Sequence, residues 1–424
     1  MIKIDNIILG AGLTGLSAAY SLKKNYLLFE KNSIVGGLTS SEKIKNYYFD
    51  HTGHWLHLNN KISKIFVKKI MKNDLLKIKR NSKILFNDDY GDYPFQYNLS
   101  AYNKDFIFKC VSSLFNIQKN TKPKNFTEFC YANFGKGISD AFMLPYNLKL
   151  WGKSGQNISF KWCNKFFPKP DFTKIINGAF TKKDYKGYNH TFFYPKKRGI
   201  GEFSQKISQK LNHKKIIINS NVQYIDLKKK KIKINDKEYI YKNLISTIPL
   251  PDIISLIKKL PKNIIKSKRK LKCTKLRYIN YGIKKKVMNN VQWLYIPNKE
   301  IPFYRIGCSS NAVSSLAPNG CSSVFLEISN NNNYSEKEIL KKARKFLIEK
   351  KIIKSVKDIV VEEFREMKYG YVIFDKNYDV SRNICLKFLE KNKIYSIGRY
   401  GSWIYSSMED AILAGLNTKK MISV

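Results

Sequence analysis

Acidic residues are scarce in this chain: 32 Asp and Glu stand against 78 Lys and Arg in 424 residues, a formal charge of +46. Cysteine is thin and unpaired. The seven positions, Cys110, Cys130, Cys163, Cys273, Cys308, Cys321 and Cys385, stand singly, with no C-x-x-C and no paired spacing. That pattern excludes a cystine-stapled scaffold and points to a reducing compartment. No apolar run approaches the length that spans a bilayer. From Met1 the chain enters a strand pattern without the charged, apolar, small-residue layout of a signal peptide, so a cytoplasmic protein is expected. Histidine is rare too. His51, His54 and His57 lie close together but lack the paired helical spacing or cysteine partners of a metal site, and none is expected.

What is abundant is lysine, from Lys3 to Lys420, accompanied by Ile and Asn throughout. A clustered basic stripe would indicate a polyanion. Here the excess is spread over every surface position, so no specific nucleic-acid partner is expected. The densest run, Lys228 to Lys233, suits an edge strand and its turn. With 43% hydrophobic residues, the chain is long enough for two or three packed lobes.

The N-terminus carries the first chemical signal. The apolar run KIDNIIL (3–9) is followed by Gly10-Ala11-Gly12-Leu13-Thr14-Gly15 and then by LSAAYSLKK with helical spacing. Strand, glycine turn and helix are the dinucleotide arrangement: Gly10 for the tight turn, Gly12 for close approach of a pyrophosphate, Gly15 for helix-on-strand packing. The pyrophosphate is expected at the helix N-terminus, near Leu13. A second strand, YLLFE, ends at Glu30, where an acid can accept from the adenosine ribose hydroxyls. Glu30 disfavours a 2′-phosphate, hence NADP, at this position.

Next comes a second glycine pair, Gly36-Gly37-Leu38-Thr39, which a plain NAD-binding domain does not require. At the other end, IYSIGRYGSW (394–403) reads as strand, glycine turn and aromatic, with Gly398, Arg399 and Gly401, before a helix expected from Met408. Taken together these pieces resemble the FAD family that includes amine oxidases, protoporphyrinogen oxidase, phytoene desaturases and UDP-galactopyranose mutase. The resemblance implies FAD bound between both ends of the chain. It also places the backbone of Val222, in IIINSNVQYIDL (216–227), at the adenine; a strand valine is equally a plain core residue.

The middle of the chain resembles the UDP-galactopyranose mutases in order and approximate spacing: Asp92-Tyr93-Pro94-Phe95-Gln96, ISDAFMLPYNLKLWG (138–152), EIPFYRIGCSSN (300–311) and GRYGSWIY (398–405). By that resemblance Phe95 and Gln96 touch uracil, and Tyr146 and Trp151 wall the same lobe, although an aromatic at such a position also suits a core. His54, in FDHTGHWLHL, falls where the mutases carry a loop histidine beside the flavin; a lone histidine is also a common structural residue. Arg305 is the candidate for the diphosphate, since its planar fork suits phosphate oxygens. Tyr371 and Tyr405 add hydroxyl donors. Arg399 is assigned to the flavin, where a positive charge favours the reduced anion.

The implied activity is a nucleotide-sugar isomerase in which N5 of reduced FAD is the nucleophile at the sugar's anomeric carbon, with catalysis supported by His54, Arg305 and Arg399. A UDP-sugar is the implied partner, NAD(P)H an external reductant, and cell-surface polysaccharide synthesis the setting. The alternative is an FAD-dependent oxidoreductase of the amine oxidase or protoporphyrinogen oxidase type, which needs the same cofactor site. Three departures from the mutase pattern stand out. Phe166, beside Lys165, occupies the place of a second diphosphate arginine four residues after Trp162. Val372 and Ile373 replace prolines after Tyr371. The run after Tyr405, Ser406 to Asp410, is short.

The expected fold is α/β: a discontinuous Rossmann-like FAD domain from residues 1–90, 201–270 and 365–424, a mostly helical lobe over 91–200, and an antiparallel-sheet substrate domain over 271–364 with a helix at SEKEILKKARKFLIEK (335–350).

Overall fold

The computed structural model describes residues 2–117, 122–163, 170–182, 189–330 and 332–423. Lys165 and Phe166, the departure from the mutase arginine, lie outside these.

The strand Ile2–Leu9 forms the centre of a seven-stranded sheet. Leu27–Phe29 and Lys237–Ser246 pair with it in parallel on either side, and Ile216–Ile217 follows on the far edge. Ile7, Ile8 and Leu9 are at most 1% exposed, as a parallel strand covered on both faces requires. Lys237–Ser246 is long enough for two partners. Its first half pairs antiparallel with Lys231–Ile234, its last three residues in parallel with Ile394–Ser396. Thus the C-terminal segment returns to the N-terminal sheet.

The run 216–227 is broken into two strands, Ile216–Ile217 and Val222–Asp226, rather than one. Asn219, in the left-handed region at φ 52°, turns the chain. The freed amides of Asn219 and Ser220 donate to the carbonyls of Asn32 and Glu30. The lysine run forms the turn and second strand of the edge hairpin Val222–Asp226/Lys231–Ile234.

A second seven-stranded sheet runs in the order Ile359–Met367, Leu276–Ile283, Ser322–Ile328, Phe303–Cys308, Trp293–Tyr295, Ser82–Phe86, Asp89–Asp92. All its pairs are antiparallel except Trp293–Tyr295 with Ser82–Phe86. The helix Glu336–Glu349, opened by a Ser335/Glu338 capping box, packs Ile339, Ala343, Phe346 and Leu347 into this sheet's core.

Two expected borders move. The hairpin Ser82–Phe86/Asp89–Asp92 joins the second sheet, not the dinucleotide segment ending at 90, because Asn87 and Asp88, both at positive φ, fold it back and Ile84 pairs with Tyr295. At the other edge Ile359–Met367 runs through the border at 364. The segment 91–200 also holds a strand, Thr191–Pro195, paired with Leu75–Lys79.

Helices Lys104–Phe115, Phe126–Ile138, Leu144–Trp151 and Phe172–Phe180 make the helical lobe. The helix expected from Met408 spans Met408–Leu416, with a Ser407/Asp410 capping box, and stops at Asn417 before a short helix Thr418–Ile422. It crosses Leu13–Leu22 closely: a Cβ on Gly415 would overlap the Thr14 carbonyl oxygen. No described helix is long and apolar enough to cross a membrane.

Candidate active site

At the first glycine turn, Gly10 holds φ 94°, and Gly12 caps the helix Leu13–Leu22 with an extended backbone. That helix has no side-chain cap and no acid in its first turn, which leaves its N-terminal amides available to an anion. Gly15 is needed by the fold itself, since a Cβ there would overlap the Gly10 carbonyl oxygen. Gly12 is different. With φ −70° and only the Gly36 carbonyl oxygen near its missing Cβ, at 3.9 Å, it could carry a side chain in the bare fold. The space a side chain would fill at Gly12 is where a pyrophosphate approaches the helix end.

The second glycine pair lies against this turn. Gly36 donates to Ala11 O at 2.8 Å, and the Cβ position of Gly37 is 3.3 Å from Gly12 Cα. Leu38 follows, half-buried. Glu30 is buried, its Oε2 accepting from Ala11 N at 2.7 Å and Oε1 from Asn32 N at 2.9 Å. The carboxylate is therefore fastened to backbone, each oxygen keeping further acceptor capacity for a ribose hydroxyl. Val222 begins the edge strand beyond the loop bonded to Glu30 and Asn32, half-buried opposite Ile234. Thr14 packs under Gly398, where φ is 80° and a Cβ would strike the Thr14 side chain. Met408, half-buried, packs between two apolar cores rather than lining an open surface.

An aromatic cluster is built where the helix Leu144–Trp151 meets the second sheet. Arg305 lies directly opposite Tyr295 on the neighbouring strand, its guanidinium 4.4 Å from the Trp293 ring centroid. A register shift between Phe303 and Arg305 turns both Tyr304 and Arg305 toward Glu327. Arg305 donates to Glu327 through Nε at 2.8 Å and Nη2 at 2.5 Å, and through Nη2 to the Tyr371 hydroxyl at 3.2 Å. Glu327 is fully buried and also accepts from the Tyr304 hydroxyl. One edge of the Arg305 fork is thus already held by a carboxylate; Nη1 makes no hydrogen bond to the described residues. The fork of the arginine expected at the diphosphate is thus half-occupied within the chain itself.

Trp151 meets Tyr371 and Tyr405 edge-on at 5.6 and 6.3 Å, and Trp162 meets Trp151 and Tyr405 at 5.2 and 6.0 Å. Tyr146 packs on Tyr295 and Tyr304 at 5.3 and 6.0 Å. Arg399 donates through Nη1 to Ser406 O at 2.7 Å and sits 5.1 Å from the Tyr405 ring and 5.7 Å from that of Tyr371. Tyr146, Trp151, Arg305, Tyr371, Tyr405 and Arg399 therefore belong to one neighbourhood. His54 joins it: burial, then the positive fields of His51, Arg399 and Arg305, push its imidazole down to about 3. Four polar atoms around this cluster, His54 Nδ1, Trp151 Nε1, Trp293 Nε1 and Ser406 Oγ, are buried without a hydrogen bond to a described residue. Buried polar atoms left unpaired in this way point to a missing partner.

Phe95 is one ring removed from Tyr146. It is fully buried in the helical lobe, stacked on Phe142 at 4.9 Å, and Phe142 in turn stacks on Tyr146 at 5.4 Å. The neighbouring Gln96 is buried, and its amide has no hydrogen bond to a described residue. Residues absent from the sequence reading include Glu327, Trp293 and Arg80, the last stacked 4.5 Å over Tyr93 and donating to the Tyr295 hydroxyl at 2.6 Å. Only Glu327 had a legible signal: a carboxylate set among Val324, Phe325, Leu326 and Ile328 in the strand SSVFLEI requires a buried partner.

The loop 51–57 also makes a pH prediction. Burial leads the lowering of all three histidines, to about 3 at His54 and about 4 at His57; His51, bonded to Ser40 Oγ and the Tyr278 hydroxyl, is lowered as well. The unfolded chain takes up more protons as pH falls below the ordinary value of 6.5, so their contribution is present above it and lost toward pH 4. Asp50, pushed up to about 6 by burial, works in the opposite sense and offsets part of the loss. The melting temperature should fall between pH 7 and pH 4.5, and a His54→Gln/His57→Gln variant should flatten the fall. An equal fall in wild type and variant would contradict the assignment.

Known proteins place this geometry. A profile described as NAD(P)-binding Rossmann-like domain matches residues 8–69. A crystal structure of reduced UDP-galactopyranose mutase superposes with TM-score 0.93 at 26% identity, covering 99% of this chain and 95% of that one. An Exiguobacterium structure described as a protoporphyrinogen oxidase superposes with TM-score 0.78 at 12% identity, covering 99% and 98%, a likeness of fold alone. A curated chain of Dictyostelium discoideum, named as flavin-containing monoamine oxidase A, is 29% identical over 126 residues. That alignment spans 28% of this chain and about a quarter of the relative, 27%. The fold is the one shared by these flavoprotein structures, and the first glycine turn lies within the matched Rossmann-like segment. Over its whole length the chain is similar to the UDP-galactopyranose mutase structure.

Proposed function

We propose that the chain binds FAD between its two glycine turns and rearranges a UDP-sugar at the aromatic cluster, as a nucleotide-sugar isomerase. The carrying observation is the convergence of Arg305, Arg399, Tyr371 and Tyr405 in one cluster around which His54, Trp151, Trp293 and Ser406 hold atoms unpaired among the described residues. Gly12, Gly36 and the helix end at Leu13 would hold the diphosphate of FAD, with Glu30 at the ribose, Val222 near the adenine, and Arg399 at the ring system. When bound and reduced, FAD supplies the nucleophile at the anomeric carbon.

The side chains do the rest. Arg305 offers Nη1 to the departing diphosphate while Glu327 fixes the plane of its fork. Tyr371 and Tyr405 donate hydroxyls to the same oxygens. Tyr146 and Trp151 exclude water and carry the base, with Gln96 supplying an amide for its edge. His54, uncharged at neutral pH, can accept or donate at Nδ1 without adding a charge. NAD(P)H would be the external reductant.

One observation favours the oxidoreductase alternative: Glu327 neutralises Arg305, which lowers the cluster's claim on a dianion. The two readings separate on UDP. FAD-loaded protein should bind UDP and UDP-sugars; FAD binding without any uridine nucleotide affinity would overturn the isomerase reading and leave the amine oxidase type.

A further inference from the structure

The helix Leu144–Trp151 carries the aromatic wall, and one turn on from Tyr146, on the same side, a buried charged group reaches the second sheet. Lys149 is 1% exposed. Its Nζ donates to Ile296 O at 2.9 Å, Asn298 O at 2.8 Å and Phe303 O at 2.7 Å. These three carbonyls converge as they would on a bound monovalent cation, and the ammonium fills the place. Among the described residues no carboxylate pairs with it directly: burial pushes it down to about 7, with Glu300 pulling the other way from a distance. A buried lysine held only by carbonyls is costly to maintain, so its placement calls for a reason beyond filling space.

The connection it grips supplies that reason. Residues 296–303 join the strand Trp293–Tyr295 to Phe303–Cys308, which present Tyr295 and Arg305 opposite one another. The same helix end is fastened to the next strand by Asn330, whose N donates to Lys149 O at 2.8 Å and whose Nδ2 donates to Leu150 O at 2.9 Å just after Glu327's strand. The last turn of the helix is therefore tied to both strands that carry the Arg305–Glu327 pair.

We propose that Lys149 is a positioning residue for substrate binding: by gathering the Ile296, Asn298 and Phe303 carbonyls it sets the gap between the Tyr146–Trp151 wall and Arg305. The role rests on reading the cluster as the nucleotide-sugar site. It touches neither substrate nor flavin, and the FAD turns lie on the other sheet.

Lys149→Ala leaves three carbonyls around a space the size of an alkylammonium ion, which makes the test a chemical rescue. The FAD-loaded variant should keep its flavin while its UDP affinity falls roughly 10- to 100-fold, as for a wall displaced by about an ångström. Methylammonium or ethylammonium should restore most of it, and tetramethylammonium, lacking N–H donors, should not. Hydrogen exchange supplies a readout independent of UDP: amides of 293–306 and 144–151 should exchange faster in the variant and slow again with ethylammonium. Should Lys149→Ala not fold, Lys149→Arg keeps the charge with a planar fork that cannot meet three converging carbonyls, and should weaken UDP with flavin retained. Unchanged UDP affinity, or loss without rescue by ethylammonium, overturns the proposal. If wild type binds no UDP, the isomerase reading falls, and exchange in the two segments alone decides on Lys149.

Discussion

A Gly12→Val variant is expected to purify folded and colourless. The bare fold has room for a side chain at this position, because Gly12 has an ordinary φ of −70° and only one backbone oxygen near the missing Cβ, at 3.9 Å. A valine would instead occupy the approach to the uncapped amides of Leu13–Leu22, where the FAD pyrophosphate must come within hydrogen-bonding distance. FAD affinity should fall by roughly 100-fold or more, about 3 kcal/mol, with a melting temperature close to that of the wild-type apoprotein. Gly15→Ala is the contrasting control: its Cβ overlaps the Gly10 carbonyl oxygen, so the fold itself should suffer. Flavin absorbance and thermal unfolding of the two variants check this. A Gly12→Val protein that keeps a full complement of FAD would contradict the placement of the cofactor.

Replacing Arg305 by Ala should have the other large effect, and it should appear in two measurements at once. UDP binding should weaken by about 1.5–3 kcal/mol through loss of charge-assisted donors. Stability should also drop, by about 3–5 kcal/mol, because fully buried Glu327 loses its charged partner. The two losses come apart in the double variant Arg305→Met/Glu327→Leu, which should regain most of the stability and none of the UDP affinity. Calorimetric titration with UDP and chemical unfolding read them separately. Loss of FAD on Arg305→Ala, with UDP affinity intact, would move Arg305 to the cofactor side.

The part of this architecture that was legible in the sequence is the part governed by short-range constraint. Gly10 and Gly15 are demanded by a turn and a helix only a few residues long, so strand, turn and helix followed from their spacing. The tie between the chain's two ends was legible through resemblance, and the pairing of Ile394–Ser396 with Lys237–Ser246 supplies its physical form. What was not legible depends on which sheet face a residue meets. Phe95 and Tyr146 belong to one stack of rings, and nothing in local pattern says which member is the outer one. The pairing of Arg305 with Glu327 was not legible because its partner lies on the adjacent strand, 22 residues on, brought beside it by sheet register and a local irregularity. The hairpin at 82–92 alternates well enough to suit either sheet, and only its pairing with Trp293–Tyr295 decides.

The central claim, a flavin that acts as nucleophile and is returned unchanged, is tested most directly by turnover under controlled redox state. Dithionite-reduced protein, kept anaerobic, should interconvert the pyranose and furanose forms of UDP-galactose, or of a related UDP-sugar, over many turnovers with no net electron consumption. The oxidised protein should be inactive, and Arg399→Ala should impair turnover more than it impairs FAD binding, since Arg399 lies beside Tyr371 and Tyr405 within the same cluster. If instead an amine or other reductant substrate bleaches the oxidised flavin one equivalent per site, and no UDP-sugar is rearranged by the reduced form, the isomerase account is contradicted.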